Sequence, residues 1–130
     1  MNRTEIHESL EQLENDRWPR PSADATRLIR HCHAARAKPA SQLSTEELRL
    51  LIGQRISLAW TVPFALHDLQ RTPMVEGDLY PGDLLAACLS LPDEYFAAHP
   101  EVRRQLAEIV EQVGEDDWNL AFPGRFTEWR

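Results

Sequence analysis

The densest set of groups able to do chemistry is the block Glu76-Gly77-Asp78-Leu79-Tyr80-Pro81-Gly82-Asp83. Its carboxylates can act in two ways. On an exposed loop, Glu76 and Asp78 imitate phosphate or pair with the Arg and Lys side chains of a partner. In a structural turn, Asp78 bonds backbone amides and Asp83 accepts amides in the first turn of the next helix. Gly77 and Gly82 then supply backbone angles closed to other residues. The structural turn is favoured for the block, with Tyr80 part of it, because turn and capping carboxylates are common. Glu76 and Asp78 remain candidate contacts.

A second acidic run, Glu115-Asp116-Asp117, stands directly before Trp118. Carboxylates beside an exposed aromatic suit a protein-binding anchor. The plainer alternative is an acidic helix end followed by a packed tail. Other constellations carry less. His31 and His33 flank Cys32, but on a helix they point to different faces and cannot share an ion. Cys32 and Cys88 lack a metal-ligand spacing and suit reduced core thiols. Glu5, Glu8, Glu11 and Glu14 recur every three residues, the pattern of a solvated helix face. His67 shares a face with Phe64 and Trp60 and suits a core position. Gly53-Gln54 suits a close helix contact with a buried, bonded amide. No nucleophile elbow, phosphate loop, HExxH or dinucleotide fingerprint is present. A hydrolase using paired carboxylates therefore has no nucleophile or metal constellation behind it. No cofactor or metal is expected.

Helices must position these groups. Prolines at WPRP, KPA, TPM, YPG, HPE and FPG cut the chain into helix-length segments. Ile6, Leu10 and Leu13 form the first stripe. Ala25, Leu28, Ile29, Cys32 and Ala35 form the second, with Ser22 as its expected N-cap. Ser44-Thr45-Glu46-Glu47 is a capping-box pattern ahead of Leu48, Leu51 and Ile52. Residues 56–70 are apolar nearly all round, which predicts the most buried helix, with a kink or break at Pro63. A fifth helix is predicted from Pro81 or Asp83 to Leu91, followed by a short turn at 93–98. The last runs from Pro100 to Val113 on the stripe Val102, Leu106, Ile109, Val110 and Val113, with Gly114 at its end. Four aromatic residues in the tail predict a hairpin or extended strap packed on the bundle. The expected architecture is all-α, a single compact domain over 1–130 with five or six helices and a tail strap at 114–130.

The chain has 130 residues and a formal charge of −7, and its positive residues are scattered arginines with Lys38. The length suits one domain with its own core. The negative balance opposes binding to nucleic acid or anionic membranes and attracts basic protein surfaces. No apolar run is long enough to span a membrane, and MNRTEIHESLEQLE has no apolar signal core. A cytoplasmic protein is expected.

Three blocks go beyond composition: LRLLIGQ at 48–54, VPFAL at 62–66 and PMVEGDLYPGDLL at 73–85. In this order and spacing they resemble the helical CdiI-type immunity proteins of bacterial contact-dependent growth inhibition (CDI) systems. That family's pattern is close to LRLxIGQ, a glycine–leucine pair, PLAL and PLxEGDfYpGDLL. Ser57 stands where the family has glycine, Arg55 where a smaller polar residue is common, and Phe64 where it has leucine. Tyr95-Phe96 precedes His99-Pro100-Glu101 where the family has Phe-Trp. The tail from Gly114 has no counterpart in the pattern.

The resemblance implies a non-enzyme that binds the C-terminal toxin domain of a large exported protein and occludes its active site. Many such domains are nucleases with basic grooves, which an acidic inhibitor complements. The candidate toxin contacts are Glu76, Asp78, Glu115, Asp116, Asp117 and Trp118. Gly53, Gln54, Pro63, Gly77, Tyr80, Gly82 and Asp83 belong to the motifs and are expected to be structural. No nucleic acid, membrane or small-molecule substrate is expected as partner. The competing expectation is a helical scaffold or adaptor that binds another cellular protein.

Overall fold

In the computed structural model, which describes residues 2–130, the helices begin where short polar side chains can cap them. Ser9 and Gln12 form a reciprocal capping box at the start of α1 (Leu10–Glu14). The second helix, α2 (Arg27–Ala37), is capped by Thr26 rather than by Ser22, because the chain first runs through an irregular strap containing Pro19 and Pro21. The Ser44–Glu47 box forms as its pattern predicts and opens α3 (Thr45–Gly53).

The next helix, α4 (Leu58–Arg71), runs through Pro63 without the expected break. The carbonyl that Pro63 leaves without a helical donor belongs to Ala59, an exposed residue whose carbonyl water can reach. Then come α5 (Asp83–Leu89), α6 (Asp93–Ala98), α7 (Pro100–Glu111) and α8 (Glu115–Ala121). Pro100 opens α7 at a position where its missing N–H costs nothing. Short 3₁₀ turns lie at Arg3–Glu5, Ala40–Gln42 and Thr127–Trp129.

The fold is all-α with eight α-helices and no named strand among the described residues. The helices beyond the expected number are α6, read as a turn, and α8, read as part of a strap. The tail is neither hairpin nor extended strap. Its acidic run forms the first turn of α8, where carboxylates meet the positive end of the helix dipole.

Helix α3 packs on α2, α4 and α5, and α4 also meets α5 and α7. Leu48, Leu51, Ile52, Val62, Phe64, Leu69, Leu84, Leu85, Leu106 and Ile109 fill the space between them. The helix buried on most sides is α5 rather than α4, since only Ala87 among its residues is not fully buried. On α4, Ala59 and Gln70 face solvent and His67 is half-buried. No helix among the described residues is long and apolar enough to cross a membrane.

The C-terminal aromatics weld the tail to this frame. Phe122 stacks edge-on against Trp118 at 4.9 Å and Phe126 at 5.4 Å, and Trp129 meets Phe96 at 5.5 Å. The Arg130 guanidinium donates to the carbonyls of Val110 and Val113 at 3.1 and 2.8 Å, which caps the open end of α7.

Candidate functional site

Two helices hold the loop between α4 and α5 from either side. On α5, the buried Asp83 carboxylate accepts from the amides of Gly77 at 2.6 Å and Leu79 at 3.0 Å, with Tyr80 N farther off at 3.5 Å. On α3, Glu46 is gripped by the Arg49 guanidinium and accepts from Asp78 N at 2.9 Å. Arg49 Nε also stands 3.8 Å from Asp83 Oδ2, so one cation joins both carboxylates. The Arg49 hydrogen bond holds the Glu46 carboxyl below its ordinary value, against the opposing effect of burial. The Glu46 bond likewise raises Arg49.

Two glycines make this closure possible. A Cβ on Gly77 would lie 2.7 Å from Glu46 Oε1 and 3.0 Å from Asp83 Oδ2. Gly82 has φ +92°, and a Cβ there would strike Met74 and Phe122. Gly82 N donates to Met74 O at 3.1 Å and Asp83 N to Tyr80 O at 3.1 Å, which folds the loop back on itself.

The loop thus presents Glu76, Asp78 and Leu79 outward. Leu79 is 61% exposed. Helix α8 lies alongside. Phe122 seats against Gly82 and meets the Tyr80 ring at 6.4 Å, and Arg125 donates to the Tyr80 hydroxyl at 3.2 Å. A depression of about 420 Å³ separates the two elements, lined by Met74, Tyr80, Pro81, Asp117, Leu120 and Ala121. Leu120 is 84% exposed at its edge. Beyond Tyr80 lies a second depression of about 410 Å³.

Helix α8 therefore brings one residue of the second acidic run to the loop that carries the first. Asp117 lines the same depression as Tyr80 and Pro81, and Glu115 and Asp116 are exposed in the same turn of α8. Trp118 does not join them. It is 5% exposed, because it shares the inner face of α8 with Phe122 at a spacing of four. Of the two readings of Trp118, the packed tail holds and the exposed anchor does not; the large apolar side chains left in solvent nearby are Leu120 and Leu79. The out-of-phase position of Leu120 could have signalled this once residues 115–121 were read as a helix.

Gly53 and Gln54 are also corrected. Both are exposed at the end of α3, with open space around Gly53, so they form neither a close helix contact nor a buried amide. Helical geometry ends there with Gln54 N donating to Leu50 O at 3.0 Å. His67 is half-buried on α4, and its Nε2 is enclosed without a partner. Cys88 is fully enclosed, and burial pushes its thiol up to about 12; burial raises Cys32 as well.

The family of CDI immunity proteins matches residues 12–106, most of the chain and all of the pinned loop. The chain belongs to that family. No curated protein and no solved structure matches it. The family is one of immunity proteins directed at a cognate CDI toxin and is not an enzyme family. The match ends inside α7, so the two sides of the candidate surface differ in standing. The loop that carries Glu76, Asp78 and Leu79 lies within the matched region. Helix α8, which carries Asp117 and Leu120, lies outside it.

Proposed function

We propose that this immunity protein binds a basic nuclease domain, carried at the C-terminus of a large exported toxin, and covers its active site with the surface made by loop 76–82 and α8. The observation that carries this reading is that Asp117 and the exposed Leu120 of α8 share a depression with Tyr80 and Pro81 of the pinned loop, which presents Glu76, Asp78 and Leu79 to solvent. The carboxylates of Glu76, Asp78, Glu115, Asp116 and Asp117 face the basic groove where the nuclease holds phosphate. Long-range attraction brings the partners together, and Leu79 and Leu120 supply the apolar contact that keeps them together. The loop needs no rearrangement to present itself, since Asp83 and Glu46 already hold its backbone, so little ordering entropy is lost on binding. The protein then works in the cytoplasm by occlusion, with no bond made or broken.

Co-expression with the toxin domain encoded immediately upstream tests this. The wild-type chain should rescue growth and co-purify with the toxin. Leu120→Asp should abolish rescue while leaving the melting temperature within a degree or two, as expected of a surface site. Death with no complex would overturn the proposal and favour the helical adaptor.

A further inference from the structure

The depression beyond Tyr80 is rich in arginine where the adjoining loop and α8 are acidic. Its floor is apolar, with Ile52 and Leu91, while Arg49, Arg55 and Arg125 line it. In a chain of formal charge −7 this is a local reversal. Arg49 is occupied by Glu46 and Asp83. Arg55 and Arg125 are different, because among the described residues neither forms an ion pair. Arg55 reaches only the Gly53 carbonyl, at 3.4 Å. Arg125 donates to the Tyr80 hydroxyl and lies over the Phe126 ring at 4.7 Å.

The backbone adds an independent observation. Arg55 has φ +58°, in the left-handed region that favours Gly or Asn. Ser57, two residues on, shares that strain at φ +55°. The Ser57 side chain is used inside the fold, donating to Glu14 at 2.7 Å and accepting from Arg36 at 3.4 Å. The Arg55 side chain has no comparable internal partner. A strained position thus carries a long cation aimed into a groove where glycine would serve the fold better.

We propose that Arg55 and Arg125 form a carboxylate-binding groove that receives an acidic segment of the toxin. This rests on the immunity function proposed above. Leu79 and Tyr80 line the groove and belong to the proposed toxin-facing loop, so the groove continues that surface. Guanidinium forks engage a carboxylate through paired hydrogen bonds, and the apolar floor accepts the stem of an Asp or Glu side chain. The interface then has two poles: acidic at α8 and the loop, basic at the groove. This arrangement sets the orientation of the toxin and rejects one whose surface is uniformly basic.

The test measures affinity of the full-length variants Arg55→Gly and Arg125→Gln for the co-purified toxin domain by calorimetry, beside their melting temperatures. Arg55→Gly should melt no lower than wild type, because glycine relieves the left-handed backbone. Each variant should weaken the complex by roughly tenfold or more. Unchanged affinity in Arg55→Gly would overturn the groove assignment while the wild-type complex and growth rescue still upheld the immunity function. No complex with the wild-type chain would overturn both. Inorganic phosphate is the control probe. Stabilisation of the free wild-type protein, but not of Arg55→Gly, together with unchanged toxin affinity, would make the groove a free-anion site instead.

Discussion

Asp83 shows how much one carboxylate can organise. From a buried position it accepts amides of Gly77 and Leu79 and faces Arg49 across 3.8 Å. Bonds to a charged acceptor of this kind contribute about 1.5–3 kcal/mol each. Glu46 completes the clamp from the other side, and it supplies a pH test. Its carboxyl is held below the ordinary value of 4.5, chiefly by the Arg49 hydrogen bond. A depressed carboxyl stabilises the fold wherever the unfolded chain would be ionised, and that contribution disappears as pH falls through the folded value. Stability should therefore be constant in this respect at neutral pH and decline below about pH 4.5. Glu46→Gln should be less stable at pH 7 and show a shallower acid decline, measured by urea unfolding at each pH. A Glu46→Gln profile parallel to wild type would remove Glu46 from the clamp. Asp83 was legible as a structural carboxylate, but the amides it accepts lie in the preceding loop and not in the first turn of α5, and the turn bonds expected of the Asp78 carboxylate are made instead by its amide, which donates to Glu46. The reach of Glu46 across 32 residues to Asp78 N was not legible, because it depends on α3 and α5 packing together. Arg36 was equally hidden. It is 1% exposed, bonds Glu14 at 2.8 Å and the Asp16 carbonyl at 2.8 Å, and lies 4.1 Å from the Trp18 ring. Its helix stripe alone would have placed a hydrophobe there.

At the scale of elements, α8 is the decisive one. Its inner face carries Trp118 and is continued by the cap residue Phe122, and its outer face carries Leu120. Phe122 is 1% exposed and touches the Trp118, Tyr80 and Phe126 rings, so it ties α8 to the loop. Phe122→Ala should cost about 3–5 kcal/mol by urea unfolding, as truncation of a buried aromatic does, and should weaken toxin binding because α8 no longer sits beside Tyr80. A stability loss with wild-type toxin affinity would show that α8 need not be held there for binding. The sequence pattern located six of the eight helices, through the Ser44 capping box, the α7 stripe and Pro100 at its start. It misread the tail because Pro123-Gly124 between aromatic segments resembles a hairpin turn. In the fold that pair follows the end of α8, with Gly124 at φ +68°. Of the kink or break expected at Pro63, the break does not occur, since α4 continues to Arg71. A proline breaks a helix when it leaves a buried carbonyl unsatisfied, and here the residue that supplies the carbonyl is exposed.

At the scale of the whole molecule, charge and shape act at different ranges. A net −7 attracts a basic partner from afar, while the Arg55–Arg125 groove acts only near contact, since fields decay over about 10 Å in 0.1 M salt. Association with the toxin should slow several-fold between about 0.05 and 0.5 M salt. The triple change Glu115→Gln, Asp116→Asn and Asp117→Asn should flatten that dependence and leave dissociation nearly unchanged, as stopped-flow mixing would show. Equal salt slopes for wild type and variant would mean that α8 takes no part in steering. By itself, the sequence determined the helical class, most helix limits and the family, because periodicity, caps and motif spacing are local and survive without a fold. The tertiary structure alone decided what the surface is. Trp118 and Leu120 are comparably apolar and two residues apart, and only the docking of Phe122 against Gly82 turns one inward and leaves the other in solvent. The same docking sets Asp117 beside the Tyr80-Pro81 loop, since residues distant in sequence share a face only when the helices between them have packed.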